Sequence, residues 1–429
     1  MLDLLSNRTY RHLFAAQVIA LVGTGLATVA LGLLAYQLAG GQAGVVLGTA
    51  LAIKMVAYVG VAPVAAALAQ KLPRRVLLVG LDLVRAAVAL ALPFVTQIWQ
   101  VYLLIFVLQA ASAAFTPTFQ ATIPDVLPDE KDYTKALSLS RLAYDLESLT
   151  SPMLAAALLT VVSFHDLFAG TVIGFLASAL LVVSLRLPAS PAQERRGIYE
   201  RTTRGSRIYL ATPRLRGLLA VNAAVAAAGA MVFVNTVVMV QAGFGLPQSA
   251  VAVALASFGA GSMVAALVLP QLLEHWADRR VMLAAVTVLV GVMCAGNLGP
   301  DYFGLLVMWF VAGVAYSTAQ TPSGRLLRRS AHPADRPALF AAQFALSHAC
   351  WLVFYPVAGW AGARWGMGTT FALLGLAVAV ALLVAWRVWP ASDPEVVEHD
   401  HADGTHHAHP YLIDDQHPHW PHGKPGSGH

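Results

Sequence analysis

Apolar stretches of about twenty residues recur along the whole chain, broken by short polar or basic segments. A helix rises about 1.5 Å per residue and the hydrocarbon core is about 30 Å thick, so each stretch is long enough to cross a bilayer. Twelve spans are predicted, near residues 13–36, 44–69, 76–96, 100–120, 135–161, 166–186, 215–241, 248–273, 281–298, 302–321, 337–362 and 367–389. Lipid offers the backbone no hydrogen-bond partners, so the fold class is an all-α polytopic membrane protein. The spans group as a six-helix half over 1–186, a linker over 187–214, a second six-helix half over 215–389 and a tail over 390–429.

Composition agrees: 58% of residues are hydrophobic and 11% charged, against about 25% charged in an average soluble domain. The two cysteines, Cys294 and Cys350, fall inside apolar runs, so no disulfide framework is implied. The first run lacks a small-residue cleavage site and reads as a retained span. The net charge of +5 marks topology, not nucleic-acid binding. One set of loops carries Arg8, Arg11, Lys71, Arg74, Arg75, Lys131, Lys135, seven arginines between Arg195 and Arg216, Arg279, Arg280, Arg325, Arg328, Arg329 and Arg336. The other set has almost none, Arg364 excepted. By the positive-inside rule the basic set and both termini face the cytoplasm.

The chain also repeats itself. Arg74-Arg75-Val76-Leu77-Leu78 returns as Arg279-Arg280-Val281-Met282-Leu283, Thr116-Pro117 as Thr321-Pro322, and Arg11-x-Leu13 as Arg216-x-Leu218, each at the same offset. Pro152 and Pro356 fall one residue short of it. Two halves in one orientation are the plan of alternating-access transporters, which bind substrate near the midplane between the halves.

Beyond the last span lie nine histidines: His399, His401, His406, His407, His409, His417, His419, His422 and His429. Asp400, Asp403, Asp414 and Asp415 sit among them, without cysteine. Neutral imidazoles with carboxylates suit Ni²⁺, Co²⁺, Zn²⁺ or Cu²⁺ and argue against Cu⁺. Pro410, Pro418, Pro421 and Pro425 and high polarity predict a tail unfolded without metal. An expression tag would be a uniform histidine run, unlike this irregular, acid-interleaved tract; a solvated tail without a role is the other bland alternative.

Twelve spans with a basic turn after the second and the eighth resemble the major facilitator superfamily. Ala66-x-Leu68-Ala69-Gln70-Lys71-x-Pro73-Arg74-Arg75 resembles its signature loop, with Gln70-Lys71 replacing the usual acidic-basic pair; Ala277-Asp278-Arg279-Arg280 keeps that pair in the second half. Ala121-Thr122-Ile123-Pro124-Asp125 and Ala136-Leu137-Ser138-Leu139-Ser140-Arg141 are similar to a branch of bacterial exporters. A narrower likeness lies in Pro322-Ser323-Gly324-Arg325-Leu326-Leu327-Arg328-Arg329-Ser330, in Ala342-Gln343-Phe344-Ala345-Leu346-Ser347-His348-Ala349-Cys350-Trp351, and in the tail. These resemble bacterial nickel-resistance permeases, which implies export of Ni²⁺, with Co²⁺ as an alternative.

Ionisable groups at membrane depth are costly and mark function by default. Asp145 lies about ten residues into the fifth span, roughly 15 Å deep, near the bilayer centre. Arg141 is one turn away and can neutralise it, the plain structural alternative. Glu147 is rotated by about 200° and has no in-helix cation, which favours metal or proton binding. His348 sits at matching depth in the eleventh span, so Asp145, Glu147 and His348 are the expected transport site; a histidine hydrogen-bonded within the bundle is the alternative. Cys350 points away from His348 and reads as packing. Gln17 and Asn222 are repeat-related, on helices that resemble the cavity-lining pair of the superfamily, and Asn235, Gln109 and Gln320 are weaker path candidates, since interhelical bonding explains amides equally well. Lys54 faces the cavity unless the second span tilts enough for it to snorkel. Asp82, Arg85, Arg74, Arg75, Asp278 and Arg279 read as a structural latch at the cytoplasmic ends.

No Gly-rich phosphate loop is present, so ATP hydrolysis does not drive the chain, and nothing points to catalysis or a cofactor. Proton antiport is the expected drive, because a protonated ligand loses the lone pair that holds metal. The expected partners are divalent metal ions, protons and the bilayer, with no nucleic acid and a monomeric state. A cytoplasmic chelating tail gathers metal at the inner mouth of an exporter. The rivals are a multidrug or siderophore exporter with an incidental tail, and a metal importer or sensor.

Overall fold

The computed structural model describes residues 2–39, 43–69, 72–188, 197–391, 397–400, 406–409, 412–413 and 420. Gln70, Lys71, Arg195, Arg196, His401, His417, His419, His422 and His429 lie outside them. The first half comprises α1 (Arg8–Ala39), α2 (Ala43–Ala69), α3 (Arg74–Ala91), α4 (Ile98–Val126), α5 (Glu130–Leu158) and α6 (Phe164–Val183). After α7 (Ile198–Ala211) come α8 (Pro213–Val237), α9 (Gln248–His275), α10 (Asp278–Gly296), α11 (Tyr302–Gln320), the short α12 (Ser323–Arg329) and α13 (Arg336–Val388).

Among the described residues, 9 helices are long and apolar enough to cross a membrane. One of them, α13, runs for 53 residues and turns at Gly366 (φ 80, ψ 170), so it holds the last two spans. The shorter apolar stretch Ala52–Ala67 of α2 and the charge-bearing α5 complete the twelve. The expected fold class holds: an all-α bundle of two six-helix halves. Large apolar side chains such as Leu90, Ile173, Leu180 and Leu376 stay exposed on the outer surface, the face a bilayer covers. The third span ends sooner than its apolar run, because Pro93 closes the helix in a 3-10 turn over Leu92–Phe94.

That turn at Gly366 lies in a backbone region that is essentially glycine-only. Gly366→Ala is expected to cost about 1–3 kcal/mol and to lower the unfolding temperature of the detergent-solubilised protein. An unchanged melting curve would show that the turn adapts to a side chain.

Two departures from the sequence expectation concern the connections. The linker is not merely a loop: Arg204 of α7 is clamped to Asp335, with Nε 2.5 Å from Oδ1, and the Tyr209 hydroxyl donates to Gln343 Oε1 at 2.6 Å. In the tail, expected to be unfolded, β1 (Val397–Asp400) pairs antiparallel with β2 (His406–His409), placing His399 opposite His407. Ile413, 6% exposed, reaches the core of the second half, and Trp420 lies under the guanidinium of Arg214, 5.2 Å from ring to Cζ.

Within the halves, α1 packs on α6, α2 on α4, α8 on α13 and α9 on α11. The halves meet chiefly where α2 lies against α13 and α5 against α9. Every midplane group singled out in α5 and α13 is therefore carried by a helix at the junction.

Candidate transport site between the two halves

Asp145 and Arg141 form the in-helix pair expected from their spacing, 3.0 Å apart. They also reach across the junction. Ser262 of α9 donates its hydroxyl to Asp145 Oδ2 at 2.5 Å and accepts from Arg141 Nε at 3.1 Å. The guanidinium also faces Gln320 Oε1 at 3.5 Å and lies 4.8 Å from the Tyr316 ring centre, both on α11. Asp145 is thus satisfied by a charge and a hydroxyl in a buried network joining the halves. Removing one member of such a pair typically costs about 3–5 kcal/mol, which makes Asp145 structural before it is anything else.

Glu147 points elsewhere. It accepts from the Ser151 hydroxyl at 3.2 Å and lies against α1, where a Cβ on Gly25 would stand 2.6 Å from Glu147 Oε1. A side chain at residue 25 would drive α1 away from the carboxylate, so a glycine there is what lets the two helices close around it.

His348 is wedged between rings. Its imidazole lies 4.2 Å from the Phe344 ring and edge-on to Tyr58 of α2 at 4.7 Å, centre to centre. Nδ1 sits 2.7 Å from the Phe344 carbonyl. A carbonyl only accepts, so Nδ1 carries the proton and Nε2 keeps its lone pair. A backbone carbonyl holding one ring nitrogen is the usual way to fix the other as a ligand.

Lys54 completes the cluster. It lies about eleven residues into α2, roughly 16 Å from that helix end, too deep to snorkel. Its Nζ is 5.5 Å from the Tyr58 ring centre, and Glu147 and His348 lie within its electrostatic reach. A cation–π contact is worth about 0.5–2 kcal/mol, below the ~2.5–3.5 kcal/mol cost of a lysine at a helix centre in lipid. Glu147 adds attraction from beyond ion-pair distance.

The structure therefore divides the expected site. Asp145 belongs to a structural network facing α9 and α11; Lys54 and His348 meet at Tyr58 where α2 lies on α13, and Glu147 lies toward α1, within electrostatic reach of Lys54. Among the described residues no three His, Cys, Asp or Glu side chains converge as a metal-holding group. Equal depth does not bring Asp145 to His348, because the two point to different sides of the junction. Gln17 accepts from Ser140 on α5 at 3.1 Å and also interacts with Tyr144. Asn222 is buried and donates to Gln343 at 3.3 Å, and Asn235 ties α8 to the Ala358 carbonyl at 3.1 Å. Cys350 packs with its thiol 3.4 Å from the Leu346 carbonyl. An aromatic wall in the second half escaped the sequence reading: Phe233, Phe258, Tyr316, Trp351 and Tyr355 interlock, with Phe258 and Tyr316 ring centres 5.3 Å apart.

The expected latch also needs correction. Asp82 and Arg85 do not join Arg74. They pair with each other inside the first half, where Ser178 donates to Asp82 at 2.8 Å and Arg85 is sandwiched 4.0 Å from Phe115 and 4.6 Å from Phe175. Arg75 is exposed. Arg279 donates to the carbonyls of Trp386 and Trp389, each at 3.0 Å, and so caps the last helix. The observed latch keeps Arg74 and Asp278 of the expected residues and adds others. Asp125 receives Arg74 at 2.5 Å and, from the other half, Arg336 at 2.7 Å. From α12, Arg325 meets Glu130 at 2.5 Å and Asp278 at 3.1 Å, and Arg329 meets Asp278 at 2.9 Å. Arg328 reaches the Pro128 carbonyl. The contacts of Arg336 with Asp125, Arg325 with Glu130 and Arg328 with Pro128 tie the halves together on the basic face.

The family model of the Major Facilitator Superfamily matches residues 13–276 and 218–416. This chain belongs to that superfamily. Macrolide efflux protein A of Streptococcus pyogenes is 26% identical over 152 residues, a match covering 33% of this chain and only 37% of that protein's length. The human organic anion transporter MFSD10 aligns with a TM-score of 0.76 at 11% identity, covering 88% of this chain and 99% of that one. A bacterial homologue of the iron transporter ferroportin, in an outward-facing state, aligns with a TM-score of 0.74 at 14% identity, covering 89% and 98%. These structural likenesses show the fold, and the family match makes the chain a multi-pass transporter of this superfamily.

Proposed function

We propose that the chain exports a divalent transition-metal ion, Ni²⁺ before Co²⁺, in exchange for protons, as a monomer in a bacterial inner membrane. The basic face and the tail then lie in the cytoplasm. One observation carries the reading: His348 stands between the halves with the lone pair of Nε2 free to bind a cation, and the sequence beyond the last span holds nine further histidines. The inward-facing state takes metal from the cytoplasmic mouth, where the tail raises its local concentration. Glu147 and His348 then bind metal or protons in turn, and the outward-facing state releases the metal and is reprotonated. No resident cofactor is required, and metal is cargo.

The test is nickel tolerance and cell nickel content in a metal-sensitive bacterial host. The chain is expected to raise tolerance and lower cell nickel. Cutting it after Asp393 is expected to weaken protection several-fold by removing the local store, and His348→Ala by on the order of tenfold or more. Unchanged nickel with protein correctly inserted would sink the metal reading.

The aromatic wall supports a second reading, efflux of an amphipathic organic molecule, since stacked rings bind such surfaces without fixed ligands. The partial likeness to macrolide efflux protein A is consistent with it. Lowered macrolide accumulation in the same cells, with nickel unmoved, would favour it.

A further inference from the structure

Four exposed arginines, Arg75, Arg186, Arg280 and Arg387, stand in two pairs that the transport route does not use. In the first half α3 leaves the basic face and α6 returns to it, packed side by side, with Ser178 bonded to Asp82 at 2.8 Å and Arg85 against Phe175. From that level Arg75 lies about 10 Å back along α3 and Arg186 about 12 Å onward along α6, so the two reach one height. The second half repeats the arrangement. Arg279 of α10 bonds the carbonyls of Trp386 and Trp389 on α13, each at 3.0 Å, which puts the next residue, Arg280, level with Arg387. Among the described residues none of the four is ion-paired with a carboxylate.

Each pair also stands at the foot of an apolar stripe on the lipid-facing surface. On α6 the exposed residues Leu176, Leu180 and Val183 step at helical spacing to Arg186, and on α13 Val380 and Leu383 step to Arg387. Trp386, 57% exposed, adds an indole beside Arg387, where such rings favour the headgroup level. Topology asks for basic residues on this side of the membrane. It does not ask that they meet in pairs across a helix groove, without acidic partners, in both halves.

We propose that each pair is a docking site for an anionic phospholipid of the leaflet on the basic face. The two guanidiniums take the headgroup phosphate, and the stripe beyond them takes an acyl chain. Arginine suits phosphate because its planar fork donates two parallel hydrogen bonds. The apolar stripe selects a lipid over a free phosphate, and the doubled positive charge selects an anionic headgroup over a zwitterionic one. One such lipid fastens each half to the leaflet from outside and leaves the junction between the halves free to rearrange. The inference holds whichever cargo the carrier moves.

The test uses the full-length protein in detergent, with phosphatidylglycerol, phosphatidylcholine and inorganic phosphate as probes and native mass spectrometry to count bound lipid. Wild type is expected to hold two phosphatidylglycerol molecules per chain in preference to phosphatidylcholine. Arg75→Gln with Arg186→Gln, and Arg280→Gln with Arg387→Gln, should each remove one, and the four together both. An arginine near an anionic lipid is worth roughly a fivefold gain in affinity, so each double variant should weaken its own site by roughly twentyfold or more. Lysine at the same positions keeps the charge and should restore most of the binding, which a folding defect would not allow. Lys131→Gln with Arg207→Gln removes as much charge from the same face and should change nothing. Equal retention of the two lipids overturns the proposal, as do double variants that hold phosphatidylglycerol like wild type or a matching loss in the control variant. Inorganic phosphate that competes the lipid off at equal concentration also overturns it and makes the pairs a free-anion site.

Discussion

Asp125→Asn is expected to spring the basic face open. The carboxylate holds Arg74 and Arg336, and the side chains of all three are at most 15% exposed. Taking away one member of such a group leaves guanidinium charge without its anion, at a cost of about 3–5 kcal/mol in buried cases. Even the lower figure corresponds to more than a hundredfold shift between conformers, because 1.4 kcal/mol is tenfold. The penalty falls only on the state in which this face is shut, so the other state gains population. A cysteine placed at Ser140, behind the latch, with Cys294 and Cys350 replaced, gives the readout. In vesicles exposing the basic face, Asp125→Asn should raise its labelling rate by a membrane-impermeant thiol reagent at least tenfold. Equal rates would mean that the network of Asp125 does not control access.

Glu147→Gln is expected to separate transport from stability in the way Asp145→Asn does not. Changes in the outer shell of a metal site already cost about 10–100-fold, so removing a first ligand should lower the Ni²⁺ export rate by at least that factor. Folding should hardly change, because the amide can still accept from Ser151. Asp145→Asn should do the reverse in part, lowering the unfolding temperature because Arg141 loses its counter-charge inside the bundle. Comparing the two variants by proteoliposome transport and thermal unfolding distinguishes cargo ligand from strut. A Glu147→Gln protein that exports nickel at the wild-type rate would remove Glu147 from the path.

The bundle was legible because lipid makes the code simple: apolar length reports a span, and loop arginines report its ends. The same reasoning found the Arg141–Asp145 pair, since both residues belong to one helix and a four-residue spacing fixes their contact. It did not find Ser262 or Tyr316 as their partners, because those contacts join helices more than a hundred residues apart in sequence. His348 and Asp145 show the limit most plainly. Sequence gives depth along a helix, but the rotation of one helix against another is set by packing, and rotation sent the two side chains to different neighbours. Asp82 and Arg85 were misplaced for a related reason: nothing in their spacing reveals the cleft between Phe115 and Phe175 that takes the guanidinium. The α7 helix was hidden in a basic linker whose partners, Asp335 and Gln343, lie near the start of α13.

The contact of Trp420 with Arg214 and the burial of Ile413 moor the chain beyond α13 to the second half. When the two halves move against each other, residues 413 and 420 therefore travel with α8 and its neighbours as freight of that half.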